Sequence, residues 1–272
     1  MQAATPAPIV VADSITRVGP DSAGAVVVNA SHGGVYAAYL AAKLRAVAAI
    51  LNDAGMGRDR AGIGGLDYLQ EFGMPAATVG HETARIGDGA DMIAHGVITH
   101  ANALAASLGV GAGQSCHDAA ALLQQAQPTD RAPPEALEGA FLLISDKPRV
   151  WALDSASLVL PEHKEGIVVT GSHGGLLGGK PETALKYDVR GALYNDAGIG
   201  RDAAGISRLP ALDARGIPAA TVSTASARIG DARSTYEDGI ISRVNTTAAA
   251  LGLREGMTAR DGVHLLRRAV AS

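Results

Sequence analysis

The pattern of apolar and polar positions is clearest in the second half of the chain, where short β-branched runs break repeatedly into polar turns. "VWALDSASLVL" (150–160) reads as a strand entering a turn, "GIVVTG" (166–171) as a buried strand, and "RGALYNDAG" (190–198) and "IPAATVS" (217–223) as two more. Between them "PETALKY" (181–187) predicts a short helix opened by a proline at its first position. "DAAGISRLPALDARG" (202–216) predicts a helix, continuous or broken around Pro210, and "STYEDGIISRVNTTAAALG" (234–252) one long helix.

The first half repeats this pattern. "NDAGMGRDRAGIGGL" at 52–66 returns as "NDAGIGRDAAGISRL" at 195–209, and "ARIGD" occurs at 84–88 and 227–231, both pairs 143 residues apart. "VVNASHGG" at 27–34 and "VVTGSHGG" at 168–175 stand 141 apart, so the second copy gained two residues between its first and second motifs. The chain is therefore read as a tandem duplication: a first α/β repeat over 9–123, a linker over 124–149 and a second α/β repeat over 150–268. The linker opens polar and proline-rich, then turns apolar at "AFLLIS", which is expected to pack against one copy. Strands separated by helices predict βαβ units, a mostly parallel sheet with helices on both faces, and pseudo-twofold symmetry.

Composition narrows the partners. The chain has 272 residues, a net charge of −4 and 18% charged residues, which argues against nucleic acid or an anionic membrane surface and for a small molecule. Aromatic residues make up 3%, leaving few stacking platforms. The single cysteine, Cys116, excludes an internal disulfide, and Ala259 stands at its place in the second copy, so a buried filler is expected. The first residues lack the pattern of an export signal, and a cytoplasmic location is expected. The sequence leaves room for a homo-oligomer.

In a parallel sheet the strand C-termini share one edge, where ligands bind. "SHGG" and "NDAGxGRD" each directly follow a predicted strand, and "ARIGD" comes shortly after a third. Ser31, His32, Asn52, Asp53, Arg58, Asp59, Arg85 and Asp88 are thus expected to converge in one copy, and Ser172, His173, Asn195, Asp196, Arg201, Asp202, Arg228 and Asp231 in the other. His173, His32, Asp196 and Asp53 are the acid–base candidates, and Ser172 a hydroxyl candidate. Ser31, Asn52, Asn195, Arg58, Arg85, Arg201 and Arg228, with the backbone of Gly174 and Gly175, are the substrate-binding candidates, since such loops and guanidinium groups favour carboxylate or phosphate. Structural roles stand beside these: Asp59 and Asp202 as helix caps, Arg85 and Arg228 as ion-pair partners, glycines as turn formers.

The copies differ after their third strands. His81 and Glu82 are replaced by Thr224 and Ala225, His95 by Asp238, and His100 by Arg243. His81, Asp88, Asp91 and His95 suggest a metal set without a strong metal motif, whereas "STAS" with Arg228, Arg233 and Tyr236 suits an anion and favours the second copy as the active one. The chain lacks the phosphate-loop ending, the dinucleotide glycine fingerprint and the Gly-x-Ser-x-Gly elbow. The expected function is an enzyme acting on a small carboxylate or phosphate metabolite by hydrolysis, elimination or isomerisation, with no organic cofactor or bound metal. A noncatalytic small-anion sensor and a metal-dependent hydrolase remain the alternatives.

Overall fold

The computed structural model of the chain describes residues 6–270. These form two α/β units of the same plan. One comprises the described residues up to Ala54 together with Gly62–Ala136, the other Gly55–Ala61 together with the described residues from Leu137 onward.

In the first unit, β1 (Ile9–Ala12), β2 (Val26–His32), β3 (Ala48–Asn52) and β4 (Ala76–Val79) run parallel in sequence order, and β5 (Ile98–Ala101) pairs antiparallel with β4. Alternation along the strands buries both faces. Val26, Val28 and Ile50 pack with α3 (Gly89–His95), α4 (Ala103–Ser107) and α5 (Cys116–Leu123) through Met92, Ala105, Ala120 and Leu123. Val27, Ala49 and Leu51 pack with α1 (Val35–Lys43) and α2 (Gly65–Phe72) through Ala38, Ala41, Leu69 and Phe72. Cys116 is fully buried in the first of these layers and its thiol pKa is pushed up to about 12, which leaves it as an inert filler.

The second unit repeats the plan with β7 (Val150–Leu153), β8 (Ile167–His173), β9 (Gly191–Asn195) and β10 (Ala219–Val222) parallel, and β11 (Ile241–Val244) antiparallel at one end. The apolar part of the linker forms β6 (Ala140–Ile144), which adds an antiparallel strand beside β7, so "AFLLIS" does pack against the second copy. Its helices are α6 (Arg208–Asp213), α7 (Ala232–Glu237), α8 (Thr246–Ala250) and α9 (Ala259–Val270).

Three sequence expectations change. The long helix over 234–252 is instead α7, β11 and α8: Gly239 sits where a Cβ would strike the Thr235 carbonyl, and Asn245 caps a new helix by accepting from the Ala248 N–H at 2.9 Å. The "PETALKY" helix shrinks to a single 3-10 turn at Pro181–Thr183, so the second unit has no equivalent of α1. Arg208 occupies the position of Gly65 in the first unit. Gly65 gives α1 close approach, since a Cβ there would lie 2.7 Å from that of Ala38. Arg208 is instead buried, lies over the Tyr194 ring at 5.1 Å and donates to the Gly175 and Ala184 carbonyls, holding the non-helical segment in place. Burial lowers its pKa.

Asp59 and Asp202, the third case, do not cap helices. Each lies in the left-handed region, at φ of 53° and 52°. Their loops are left-handed at nearly every residue, including Ala54, Met56 and Arg60 in one copy and Ala197, Ile199 and Ala203 in the other. Gly57, at φ 65° and ψ −165°, is in a region open only to glycine, and a Cβ on it would lie 2.7 Å from the Thr224 carbonyl oxygen. Gly57→Ala is expected to cost about 3 kcal/mol in urea unfolding. Gly73→Ala, at a helix end with open space around it, should cost about 1 kcal/mol.

Candidate functional site

The motifs repeated in the sequence interlock at the strand C-terminal edge of each unit. β2 and β8 carry the same irregularity: Val28 faces Ile50 and His32 faces Asn52, while Val169 faces Leu193 and His173 faces Asn195. Such a bulge re-aims the side chains that end a strand. The bulged Ala30 carbonyl accepts from the Gly87 N–H at 2.9 Å, and Gly171 does the same for Gly230 at 2.8 Å. Asn52 and Asn195 are fully buried. Their Nδ2 groups donate to the Ala84 and Ala227 carbonyls, and their Oδ1 atoms accept from Ala54 and Ala197. These asparagines tie "ND" to "ARIGD" and act as braces.

The glycines of "SHGG" have a similar role. Gly33 and Gly174 donate their N–H groups to the Asn52 and Asn195 carbonyls, while Gly34 and Gly175 donate to Nδ1 of His32 and His173 at 3.2 and 3.1 Å. With Gly174 and Gly175 engaged internally, the expected backbone anion cradle is not formed by them. A Cβ on Gly174 would lie 2.5 Å from the Gly205 carbonyl, so close approach explains this glycine. Ser31 and Ser172 accept from the Ile15 and Ala156 N–H groups at 3.1 and 2.8 Å, which anchors the turns after β1 and β7 rather than presenting a nucleophile to a histidine.

The hydrogen bonds to Nδ1 fix both imidazoles with their proton on Nε2. His32 keeps some solvent contact, yet the protein packed around its ring pushes its pKa down to about 4. It is therefore a neutral N–H donor at pH 7, where the sequence suggested a group titrating near neutrality. Because the folded pKa lies below the unfolded value, this group's stability contribution is complete above pH 6.5 and is lost as pH falls towards 4. At most about 3 kcal/mol is lost over that window, and His32→Gln should flatten the corresponding slope of urea stability against pH.

The two units diverge at the aspartate of "ND". In the first, Asp53 Oδ1 accepts from the His81 backbone N–H and from His81 Nδ1, both at 2.9 Å, and Oδ2 accepts from the Thr99 hydroxyl at 3.1 Å. Since a carboxylate only accepts, the Nδ1 of His81 bears a proton. Glu82 Oε1 lies 3.4 Å from that atom. In the second unit, Asp196 Oδ1 accepts only backbone N–H groups among the bonds resolved for it, from Gly198 and Thr224 at 3.0 and 2.9 Å. The copy with the oriented imidazole is thus the first, against the sequence expectation. Sequence reasoning considered His81 only as a metal ligand, although a histidine present in one copy and replaced by threonine in the other was the available signal.

The arginines are paired. Arg85 meets Asp88 at 3.5 Å and the buried Asp91 at 3.1 Å, and Asp91 also accepts from His95 Nδ1 at 3.0 Å. Within the second unit, Arg228 meets Asp231 at 2.9 Å and Asp59 at 3.1 Å, and those carboxylates raise its pKa. Arg58 bonds the Ser226 carbonyl at 2.9 Å and lies 3.3 Å from Asp238. Arg201 lies 3.6 Å from Asp202. Asp88 and Asp231 cap α3 and α7 by accepting from Asp91 and Ser234. The metal set fails, because His81 serves Asp53 while His95 serves Asp91. Among the described residues no group of three or more His, Cys, Asp and Glu side chains is arranged to hold a metal ion. No helix among them is long and apolar enough to cross a membrane.

No known protein family, curated protein or solved structure matches the chain.

Proposed function

We propose that the chain is an acid–base enzyme acting on a small carboxylate or phosphate compound by hydrolysis, elimination or isomerisation, with its reacting groups at the strand C-terminal edge of the first unit. The observation that supports this is the Asp53–His81 pair, held at 2.9 Å by a carboxylate that is itself braced by Thr99. His81 Nε2 takes a proton from water or from a substrate carbon. Asp53 and Glu82 stabilise the resulting imidazolium. His32, neutral and donating from Nε2, offers its N–H to the substrate oxygen on which negative charge develops. His95 is a weaker candidate for the base, because it is half exposed and its partner is a helix neighbour four residues away.

Incubating metabolite pools with the wild-type chain and with His81→Ala, followed by mass spectrometry, tests the reading. A compound consumed by the wild type and spared by the variant supports it. A ligand retained but recovered unchanged from both supports the sensor reading instead, and equal consumption by both proteins rejects His81 as the base.

A further inference from the structure

A second cluster lies at the other edge of the second unit's sheet, where Lys164 and Glu165 precede β8, Tyr187 and Arg190 precede β9, and Arg215 precedes β10. These residues, with Lys186 and Asp188, line a cavity of about 430 Å³. That volume is within the range of small-ligand sites. Its charges sort into two kinds. Arg190 donates to one oxygen of Glu165 from Nη2 at 2.7 Å and from Nε at 3.2 Å, and Arg215 donates from Nε and Nη2 to one oxygen of Asp188, so these four groups neutralise one another.

Two cations are left over. The ammonium groups of Lys164 and Lys186 lie 5.5 and 5.3 Å from the centroid of the same Tyr187 ring. Neither has a carboxylate partner, and the Tyr187 hydroxyl has no hydrogen-bond partner among the described residues. The cavity thus gathers unpaired donors and surplus positive charge on a chain of net charge −4. In the first repeat the cavity ahead of β3 is smaller, about 290 Å³, and there Lys43 lies over Tyr39 at 5.5 Å while Arg45 pairs with Asp130 at 3.9 Å.

We infer that this cavity binds a small phosphate-bearing ligand, gripped by Lys164 and Lys186 and oriented by the Tyr187 hydroxyl. Compact, multiply charged phosphate suits two point-like ammonium donors, whereas the guanidinium groups that would clamp a planar carboxylate are already engaged. Titration calorimetry of the full chain with inorganic pyrophosphate at low salt tests it. One saturable site is expected, weakened about a hundredfold in Lys164→Ala/Lys186→Ala, at about tenfold for each lost ammonium contact. Tyr187→Phe should weaken it severalfold, and Lys180→Ala, outside the cavity, should leave it unchanged. Lys164→Gln/Lys186→Gln, which keeps the alkyl stems, provides a second pair if the alanine pair melts early. His81→Ala should bind pyrophosphate like the wild type, which separates this site from the proposed catalytic one. Absence of saturable heat, or binding that survives both double substitutions, overturns the inference.

Discussion

Turnover is expected to fall about 10⁴-fold in Asp53→Asn, the size of effect seen when an active-site imidazole loses the carboxylate that fixes its tautomer. An asparagine can still accept from the His81 backbone, and the Thr99 hydroxyl can rotate to accept from the new amide, so the fold should persist. What is lost is the negative charge that keeps the proton on His81 Nδ1 and stabilises the imidazolium. Asp196→Asn is the internal control. The resolved partners of Asp196 are backbone N–H groups, which an amide oxygen accepts equally well, so this variant should keep near-normal turnover. Steady-state kinetics on the compound found in the metabolite screen, with circular dichroism to verify folding, distinguishes the two.

A large stability effect is expected at Arg208. Its removal orphans the Gly175 carbonyl, leaves the Ala184 carbonyl only the Tyr194 hydroxyl, and opens a cavity against the Tyr194 ring. Arg208→Ala should therefore cost about 3 kcal/mol, read as a lower urea midpoint at unchanged slope. Arg208→Met should cost less, because it refills the volume and removes a desolvated charge while leaving the Gly175 carbonyl unpaired. Equal stability of Arg208→Ala and the wild type would show that the segment replacing α1 holds itself.

The internal repeat was readable because the retained residues are geometric necessities. Gly57 must reach a conformation closed to other residues, Gly174 must pass the Gly205 carbonyl, and Asn52 and Asn195 must tie neighbouring loops together. Retention therefore located the strand C-terminal edge, but Arg58 and Asp59 bond Ser226 and Arg228 of the second copy rather than joining the first-copy residues as expected. It misled about chemistry for the same reason, since Asn195, Ser172 and Gly174 persist in both copies as braces. In the proposed mechanism the reacting group lies in the difference, His81 against Thr224. β5 and β11 were hidden inside an apparently helical pattern because each has only four residues and is flanked by helices. The left-handed loops were not legible, since alanine, methionine and isoleucine give no local signal for positive φ.

Nitrogen-15 NMR of the imidazole side chains tests the central claim most directly, with the His81 resonance assigned by its disappearance in His81→Gln. The proposed base role predicts a His81 protonated on Nδ1 with Nε2 free to accept a proton, while His32 carries its proton on Nε2 and stays neutral down to about pH 4. A His81 ring protonated on Nε2 and deprotonated on Nδ1, as in the other two imidazoles at the strand ends, would contradict it.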